Sequence, residues 1–374
     1  AYMGPMDGHD VESLEQALRW AKEQRCPVLL HVRTVKGKGY APAEERPADY
    51  HGVGPFDPVT GKPLKPSGVD FSHVFGAELT KLAGEDERVC AVTAAMQEGT
   101  GLTEFAKAYP RRFFDMGIAE GHAVSMAGGM AKQGLVPVFA VYSSFLQRGY
   151  DQLMQDVALD GLHVVLGVDR AGLVGADGET HHGCFDALYL AQVPHMTVLC
   201  PASFAELRQM LRRAVLELTG PVAVRYPRGG EVVYRGCCGD ETFTELRRGD
   251  DCTILAYGIL INEALAAAEL LRQAGIEARV VKLNAIAPLR NEEVLAALGH
   301  EKRLLVPEDC VGSGCVGQRL TAILAQQGCA PDKLFLKNLG DTIPCHGSVP
   351  QLYAQCGLDA ESVAAALKEA CHEQ

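Results

Sequence analysis

A single acidic residue, Glu120, stands in an otherwise small and apolar turn whose composition suggests a catalytic carboxyl group. The turn reads Gly-Ile-Ala-Glu-Gly-His over residues 117–122, and a segment rich in Gly, Ala and Met follows it. A carboxyl group enclosed by apolar atoms has a raised pKa, which suits proton exchange with a bound ring or base. The alternative is a solvated glutamate at a helix N-terminus, where the helix dipole favours negative charge.

A second group of reactive side chains comes directly after the apolar run at residues 136–141. Such a run predicts a buried strand, and ligands of parallel α/β sheets collect where strands end. The residues that follow it are Tyr142, Ser143, Ser144, Phe145, Gln147 and Arg148. They combine aromatic surface with hydroxyl, amide and guanidinium groups, so this strand end is a candidate ligand site.

The densest group of polar residues, 169–186, follows another predicted strand at 164–168. Its charged and proton-transfer groups are Arg170, Asp177, His181 and His182, and its glycines allow close approach of backbone. His181, His182 and Cys184 could also bind a metal ion. No fourth ligand has suitable spacing, so we expect no metal site here.

Residues 225–230, Arg-Tyr-Pro-Arg-Gly-Gly, also follow a predicted strand end. Together with Arg148 and Arg170 they form a candidate phosphate clamp, since the guanidinium fork matches phosphate oxygens. The alternative is a solvated basic loop. Several such loops after strands of one sheet favour the clamp, because those strand ends meet at one edge.

Residues 41–70 contain six prolines among glycines and charged residues. Because proline fixes φ and lacks an N–H, we expect a linker here without helix or central strand. The segment includes His51. A histidine in a linker is usually solvated, so its residue type alone does not indicate a site.

Residues 312–317 match the GxGxxG pattern of dinucleotide-binding turns. Such a site needs an acidic residue about 20 positions later, at the end of a second strand. The chain has Asp332 and Asp341 instead, in sequence typical of loops. We therefore interpret these glycines as a tight turn between a strand and a helix.

Strands and helices alternate along the chain, which predicts an α/β fold. Predicted strands lie at 89–92, 136–141, 164–168, 197–200 and 221–225, then at 252–256, 278–283 and 302–306. Repeated βα units predict mostly parallel sheets covered on both faces. Residues 1–40, with one evident helix and strand, read as the tail of a further α/β domain.

The composition excludes several classes of protein. The chain has 374 residues, enough for two or three domains, and a net charge of −12, which argues against nucleic acid as a partner. Its 13 cysteines include no CxxC pair, so we expect reduced thiols. No apolar stretch approaches about 18 residues, and the N-terminus lacks the features of a signal peptide. These observations predict a cytoplasmic protein without a membrane span.

Several strings together resemble the 1-deoxy-D-xylulose-5-phosphate synthase family of the transketolase superfamily. They are GPMDGHD at 4–10, KGKGYAPAE at 36–44, FDPVTGK at 56–62, GIAE at 117–120, YSSFLQRGYDQ at 142–152, DRAGLVGADGETHHGCFD at 169–186 and VRYPRG at 224–229. The resemblance implies a doubly wound, pyrimidine-binding parallel sheet and a transketolase C-terminal α/β domain. The implied divisions are a diphosphate-domain tail at 1–40, a linker at 41–70, a pyrimidine-binding domain at 71–230 and the C-terminal domain at 240–374.

The resemblance also implies an activity: pyruvate loses CO2 and is joined to D-glyceraldehyde 3-phosphate with thiamine diphosphate as cofactor. The product would be 1-deoxy-D-xylulose 5-phosphate, a precursor of isoprenoids, thiamine and pyridoxal. Glu120 would hydrogen-bond the aminopyrimidine ring, and cofactor contacts would come from Ile118, Met96 and Phe145. The implied substrate ligands are Tyr142, Arg148, Arg170, Asp177 and Arg228, with His181 and His51 as further catalytic residues.

The chain departs from the family in ways that leave alternatives open. Family members bind Mg²⁺ and diphosphate through a GDG…N motif in an N-terminal domain, and that motif is absent here, so we expect a truncated form that is inactive alone. Gly121 replaces the family's Gln after the glutamate. We expect a homodimer. The alternatives are a catalytically inactive binding or assembly protein of this fold, and a β-type subunit of a 2-oxoacid dehydrogenase.

Overall fold

The computed structural model describes residues 1–64, 68–237 and 239–372, and the chain divides into units at residues 1–68 and 69–374. Parts of the predicted linker and C-terminal domain, residues 65–67 and 373–374, lie outside the described residues. In the described residues no helix has both the length and the apolar character required to cross a membrane.

The first unit contains β1 (Tyr2–Asp7), α1 (Val11–Glu23), β2 (Leu29–Arg33) and α2 (Ala41–Glu45). The two strands are parallel neighbours. Asp10 begins α1 by accepting the Ser13 N–H at 3.1 Å, as expected for an N-cap. The sequence did not predict β1, because Gly4 and Pro5 interrupt its strand pattern.

The expectation that residues 41–70 contain no helix is wrong at α2. Pro42 lies in the first turn of this helix, where the missing N–H has no intrahelical partner to lose. Pro47 lies just beyond its end. The prolines therefore bound a short helix here.

The second unit contains a seven-stranded sheet in the order β12-β7-β8-β6-β5-β3-β4. Its strands are β3 (Val89–Thr93), β4 (Phe113–Asp115), β5 (Val136–Tyr142), β6 (Val165–Asp169), β7 (Thr197–Leu199), β8 (Val222–Arg225) and β12 (Ala285–Ala287). All pairs are parallel except β12 with β7. The predicted βα alternation is thus confirmed as an α/β fold.

Helices pack against both faces of this sheet. Alternate residues of each central strand enter two separate apolar clusters: Phe139 and Val141 of β5 lie in one, and Val138 and Ala140 in the other. The helices are α3 (Phe71–Glu85), α4 (Thr103–Ala108), α5 (Glu120–Lys132), α6 (Ser143–Leu146), α7 (Tyr150–Gln152), α8 (Asp186–Tyr189) and α9 (Phe204–Leu216). Burial on both faces explains why these strands read as continuous apolar runs.

A five-stranded sheet follows, in the order β14-β13-β10-β11-β9. Its strands are β9 (Phe243–Arg247), β10 (Cys252–Tyr257), β11 (Ala278–Leu283), β13 (Arg303–Pro307) and β14 (Lys333–Lys337), with β9 antiparallel. The accompanying helices are α10 (Ile261–Gln273), α11 (Asn291–Leu298), α12 (Val316–Gln326), α13 (Val349–Cys356) and α14 (Ala360–His372). Because β12 leaves this part of the chain to join the larger sheet, the two sheets are directly connected.

The glycine motif at 312–317 forms the turn into α12. The buried carboxylate of Glu308 accepts the N–H groups of Val316 and Gly317 at 2.9 and 2.8 Å. A side-chain anion therefore occupies the helix N-terminus where a phosphate would bind. This arrangement agrees with the tight-turn interpretation of the motif.

Candidate active site

Glu120 is the first residue of α5, and its position is set by the strand before it. Asp115 ends β4, and one of its carboxylate oxygens, Oδ1, accepts the Ala95 N–H at 2.8 Å and the Gly117 N–H at 2.9 Å. It thereby joins the turn after β3 to the turn that leads to Glu120. Sequence analysis missed Asp115, although an aspartate at a strand end before Met-Gly is a usable signal.

The Glu120 side chain is buried, with 4% of its surface exposed. The Nε of Arg148 lies 3.2 Å from Glu120 Oε2. The two side chains form an ion pair, but the geometry is not that of a hydrogen bond. Oε2 therefore has no hydrogen-bond partner among the described residues. The carboxyl group is thus enclosed, unlike the solvated glutamate of the alternative interpretation.

Four side chains from two segments, at and after the ends of β5 and β6, stack in a continuous row. The guanidinium of Arg170 lies 3.8 Å from the centroid of the Tyr142 ring. The Tyr142 and Phe145 rings are stacked at 5.5 Å, and His181 meets Phe145 edge-on at 5.2 Å. The structure therefore brings together residues that the sequence assigned to two separate segments.

A charged cluster adjoins this row. Asp177 Oδ2 lies 3.0 Å from Nε of Arg228 and 3.7 Å from Nε of Arg170. Arg170 also donates through Nη1 to the Gly99 carbonyl at 2.9 Å. Two arginines thus converge on one carboxylate, and 40% of the Arg228 side chain is exposed to solvent. Such a pair of guanidinium groups can bind a phosphate.

Arg170 is held in an unusual backbone conformation, with φ of +61°. Its neighbour Asp169 is fully buried and accepts the Ser72 hydroxyl at 2.7 Å. Burial raises the pKa of Asp169 to about 6, and the adjacent Arg170 charge opposes that rise. The end of β6 therefore places a titratable carboxyl group next to the charged cluster.

Two arginines of the predicted phosphate clamp lie elsewhere. Arg225 is 4% exposed and paired with Asp186 at 2.7 Å, so it cannot contact a ligand from solvent. Arg148 lies beside Glu120, as described above. Of the arginines predicted for the clamp, Arg170 and Arg228 are the two that converge on Asp177. Arg225 is the last residue of its strand and is buried, whereas Arg228 lies beyond the strand end and is partly exposed.

The remaining predicted residues occupy different settings. Ile118 is 82% exposed although it is apolar, whereas Met96 is buried. His51 belongs to the first unit, where its Nδ1 lies 2.5 Å from Lys36 Nζ. Its role stays a prediction.

The residues around Glu120 fit the pyrimidine half of thiamine diphosphate. A buried carboxylate oxygen without a hydrogen-bond partner in the described residues, two positions after the exposed apolar residue Ile118, is suited to an apolar ring that carries a nitrogen. Within the described ranges, no group of three or more His, Cys, Asp or Glu residues is placed to bind a metal ion.

Comparison with family models assigns both parts of the second unit. Residues 67–230 match the model of the transketolase pyrimidine binding domain, and residues 242–363 match that of the transketolase C-terminal domain. Residues 1–34 match the model of 1-deoxy-D-xylulose-5-phosphate synthase.

Curated relatives agree with these models. The chain is 45% identical to 1-deoxy-D-xylulose-5-phosphate synthase of Heliobacterium modesticaldum, over 99% of this chain and 58% of the relative. It is 44% identical to the synthase 1 of Geobacter sulfurreducens, over 98% of this chain and 58% of that protein. The chain thus spans somewhat more than half the length of the curated relatives it matches.

Solved structures show the same fold. A chain described as a split gene transketolase, inactive β4 tetramer, matches with a TM-score of 0.71 and 27% identity, over 82% of this chain and 99% of that one. A transketolase of Pichia stipitis matches with a TM-score of 0.68 and 17% identity, over 82% and 46% of the two chains. The chain belongs to the 1-deoxy-D-xylulose-5-phosphate synthase family of the transketolase superfamily, over the part that carries the pyrimidine-binding and C-terminal domains.

Proposed function

We propose that this chain supplies the pyrimidine-binding side and the acceptor site of a thiamine-diphosphate-dependent transferase. The reaction joins the two-carbon unit of pyruvate to D-glyceraldehyde 3-phosphate, with release of CO2 and formation of 1-deoxy-D-xylulose 5-phosphate. The names of the relatives suggest this product. The observation that carries the proposal is the buried Glu120 carboxylate, whose Oε2 has no hydrogen-bond partner in the described part of the chain.

When bound, the cofactor supplies the electron sink that pyruvate decarboxylation requires. Glu120 would hydrogen-bond the ring nitrogen of the cofactor through Oε2 and would be the group that moves a proton at that atom, in a setting from which water is largely excluded. Phe145 and Ile118 would offer aromatic and apolar surface to the ring, together with the buried Met96. Asp115 keeps the turn before Glu120 in place.

The acceptor aldehyde carries a phosphate, and the second cluster suits that group. Arg170 and Arg228 bind phosphate oxygens, while Asp177 orients both guanidinium groups through its Oδ2. Tyr142 and His181 belong to the row that begins at Arg170 of this cluster, so we assign to them the acceptor hydroxyl and carbonyl. A β-type 2-oxoacid dehydrogenase subunit, which transfers acyl groups to lipoamide, needs no such pair of arginines.

The proposal includes features that belong to the complete enzyme. Mg²⁺ and the cofactor diphosphate are bound by a diphosphate-binding domain, and residues 1–40 are the end of that domain. The segment 41–70 links it to the pyrimidine-binding domain at 71–230, with the C-terminal domain at 240–374, and His51 in the linker contacts the pyruvate-derived group. We also propose a cytoplasmic homodimer. The split gene transketolase chain, 99% of which is matched here, is itself described as an inactive tetramer.

The test compares Glu120→Gln with the wild type in the complete enzyme, with the diphosphate-binding domain added as a second polypeptide if the expressed chain lacks it. We expect carboligation to fall by about 10²-fold or more, because the amide cannot exchange the proton. The control is Glu104→Gln, on an exposed glutamate paired with Lys107. The readouts are release of CO2 from pyruvate and formation of the five-carbon phosphate.

Three outcomes contradict the proposal in different ways. Unchanged carboligation in Glu120→Gln contradicts the assigned role of that residue. Absence of carboligation by the wild type with both domains present favours the inactive binding protein. Acyl transfer to lipoamide without use of the aldehyde favours the 2-oxoacid dehydrogenase subunit.

A further inference from the structure

A buried carboxylate of the C-terminal domain, Asp309, lies against the base of the loop that carries the acceptor cluster. It follows β13, and only 3% of it is exposed. Its Oδ1 lies 3.7 Å from Nη2 of Arg225, and its Oδ2 accepts the Tyr353 hydroxyl at 3.4 Å. It also leaves no space beside Gly172, where a Cβ would lie 1.8 Å from Oδ2.

Arg225 joins Asp309 to both segments that form the acceptor cluster. Its Nε donates to Oδ2 of Asp186 at 2.7 Å, and Asp186 ends the loop that carries Asp177. Arg225 itself lies three residues before Arg228 at the end of β8. One guanidinium group thus holds the end of the loop and the end of the strand in a fixed relation.

Further contacts connect the same loop with the C-terminal domain. The Val311 N–H donates to the Cys184 carbonyl at 3.1 Å. Leu173 and Cys184 of the loop are buried in an apolar cluster whose other buried members come from the C-terminal domain. Those members are Leu260, Val311, Leu339, Leu352, Tyr353 and Leu358. The inner side of the loop therefore rests on that domain.

The charges of Arg225, Asp186 and Asp309 make the position of each of these side chains depend on the other two. One buried guanidinium group lies between two buried carboxylates, so its position depends on the attraction of both, and removal of either one lets it shift toward the other. We infer that Asp309 is a positioning residue of the acceptor site: through Arg225 and Gly172 it fixes the loop so that Arg170, Asp177 and Arg228 converge. The inference rests on the proposed function, because it concerns the acceptor site of that reaction.

The first test is a kinetic comparison in the complete enzyme with the Asp309→Asn variant. Arg225 remains paired with Asp186 in this variant, so we expect the protein to fold. The KM for D-glyceraldehyde 3-phosphate should rise about tenfold while the KM for pyruvate stays unchanged, because a small displacement of the arginines weakens phosphate binding. The control is the double variant Glu206→Gln/Lys282→Met, which removes another buried ion pair between the two domains without touching the loop.

The second test measures hydrogen–deuterium exchange and does not depend on activity. In Asp309→Asn the amides of Gly172 and Gly183, which bond to each other's carbonyls at 2.9 and 2.8 Å, should exchange faster. The double variant should leave them unchanged. If Asp309→Asn does not fold, Tyr353→Phe removes one hydrogen bond to Asp309 and should produce the same local effect.

The two tests separate the failure of this inference from that of the proposed function. A wild-type enzyme without carboligation overturns the proposed function, while exchange at Gly172 and Gly183 still decides whether Asp309 holds the loop. Equal exchange in Asp309→Asn and the control overturns the inference. Equal KM values for the aldehyde in an active enzyme also overturn it.

Discussion

At the scale of single residues, the candidate site depends on a few side chains that lack hydrogen-bond partners or have a strained backbone. Arg170 combines a left-handed backbone conformation, a contact with the Tyr142 ring and a hydrogen bond to Gly99. A non-glycine residue in that conformation persists only where its surroundings impose it, and such residues cluster at functional sites. The guanidinium group is therefore held in one position by its backbone, by the Tyr142 ring and by the Gly99 carbonyl.

Replacement of Arg170 by Lys should weaken binding of the phosphorylated aldehyde. Lysine lacks the planar fork that can contact Tyr142, Gly99 and a phosphate at once, and we expect a loss of about 2 kcal/mol, or some 30-fold in KM. Steady-state kinetics with varied aldehyde measure it. Arg272→Lys, on an exposed helix surface, is the matched control. A KM within twofold of the wild type contradicts this assignment.

Asp169 should make stability depend on pH in a way that Asp169→Asn abolishes. Burial raises its pKa from 3.8 to about 6, so the folded state binds more protons than the unfolded state between those values. The contribution of Asp169 to stability therefore falls as pH rises from about 4 to above 6, by up to about 3 kcal/mol. Denaturant unfolding of the wild type and of Asp169→Asn between pH 4 and above pH 6 measures this loss. If the free energy of unfolding of the two proteins depends on pH in the same way, the assignment is contradicted.

At the scale of secondary-structure elements, α5 explains why so many small residues follow Glu120. Gly128 packs against the backbone of the segment at Leu153–Ala158, and a Cβ there would lie 2.4 Å from the Asp156 carbonyl oxygen. A Cβ on the next residue, Gly129, would meet nothing within 4 Å. The close packing of one face of α5 fixes the helix that begins with Glu120.

Two neighbouring glycines of α5 should therefore respond oppositely to alanine. Gly128→Ala should destabilise the protein by about 1–3 kcal/mol, since the methyl group meets backbone. Gly129→Ala should stabilise it by about 0.5–1 kcal/mol, because alanine favours the helix and has space. Each variant serves as the control for the other in denaturant unfolding. The same sign of change in both would contradict this packing.

At the scale of the whole molecule, the two domains of the second unit are joined by buried charges as well as by β12. Lys282 of β11 and Glu206 of α9 are both fully buried and lie 3.1 Å apart. Glu206 also accepts the Tyr234 hydroxyl at 2.7 Å and the Ala202 N–H at 2.8 Å. This pair links α9 of one domain to β11 of the other, so its loss affects the contact between the domains.

Lys282→Met should destabilise the chain by about 3–5 kcal/mol, because it leaves the Glu206 carboxylate buried without a counter-charge. The double variant with Glu206→Gln should recover most of this loss. Denaturant midpoints measure both effects. Lys107→Met, which breaks an exposed pair, is the control and should cost less than about 1 kcal/mol. A double variant no more stable than Lys282→Met alone contradicts the argument.

The sequence predicted much of the fold, because both faces of the larger sheet are buried and its strands read as apolar runs. The strands beginning at Val136 and Ala278 are confirmed within one residue at each end. The short edge strands β4 and β12 were not predicted, since three residues carry no periodic signal. The helix at Ala41–Glu45 contradicts the expectation of a linker without helix, because a proline in the first turn of a helix costs no intrahelical hydrogen bond.

By itself the sequence determined the α/β fold class, the family resemblance and the small apolar turn around Glu120, because these depend on residue type and short-range spacing. The tertiary structure decided which arginines are available to a ligand. Arg225 and Arg228 lie three residues apart, yet one is buried against Asp186 and Asp309 while the other borders Asp177. Their partners lie far away in sequence, so no local pattern distinguishes the two. The contact of Asp309 with the loop at residues 169–186 likewise joins residues far apart in sequence, so only the tertiary structure reveals it.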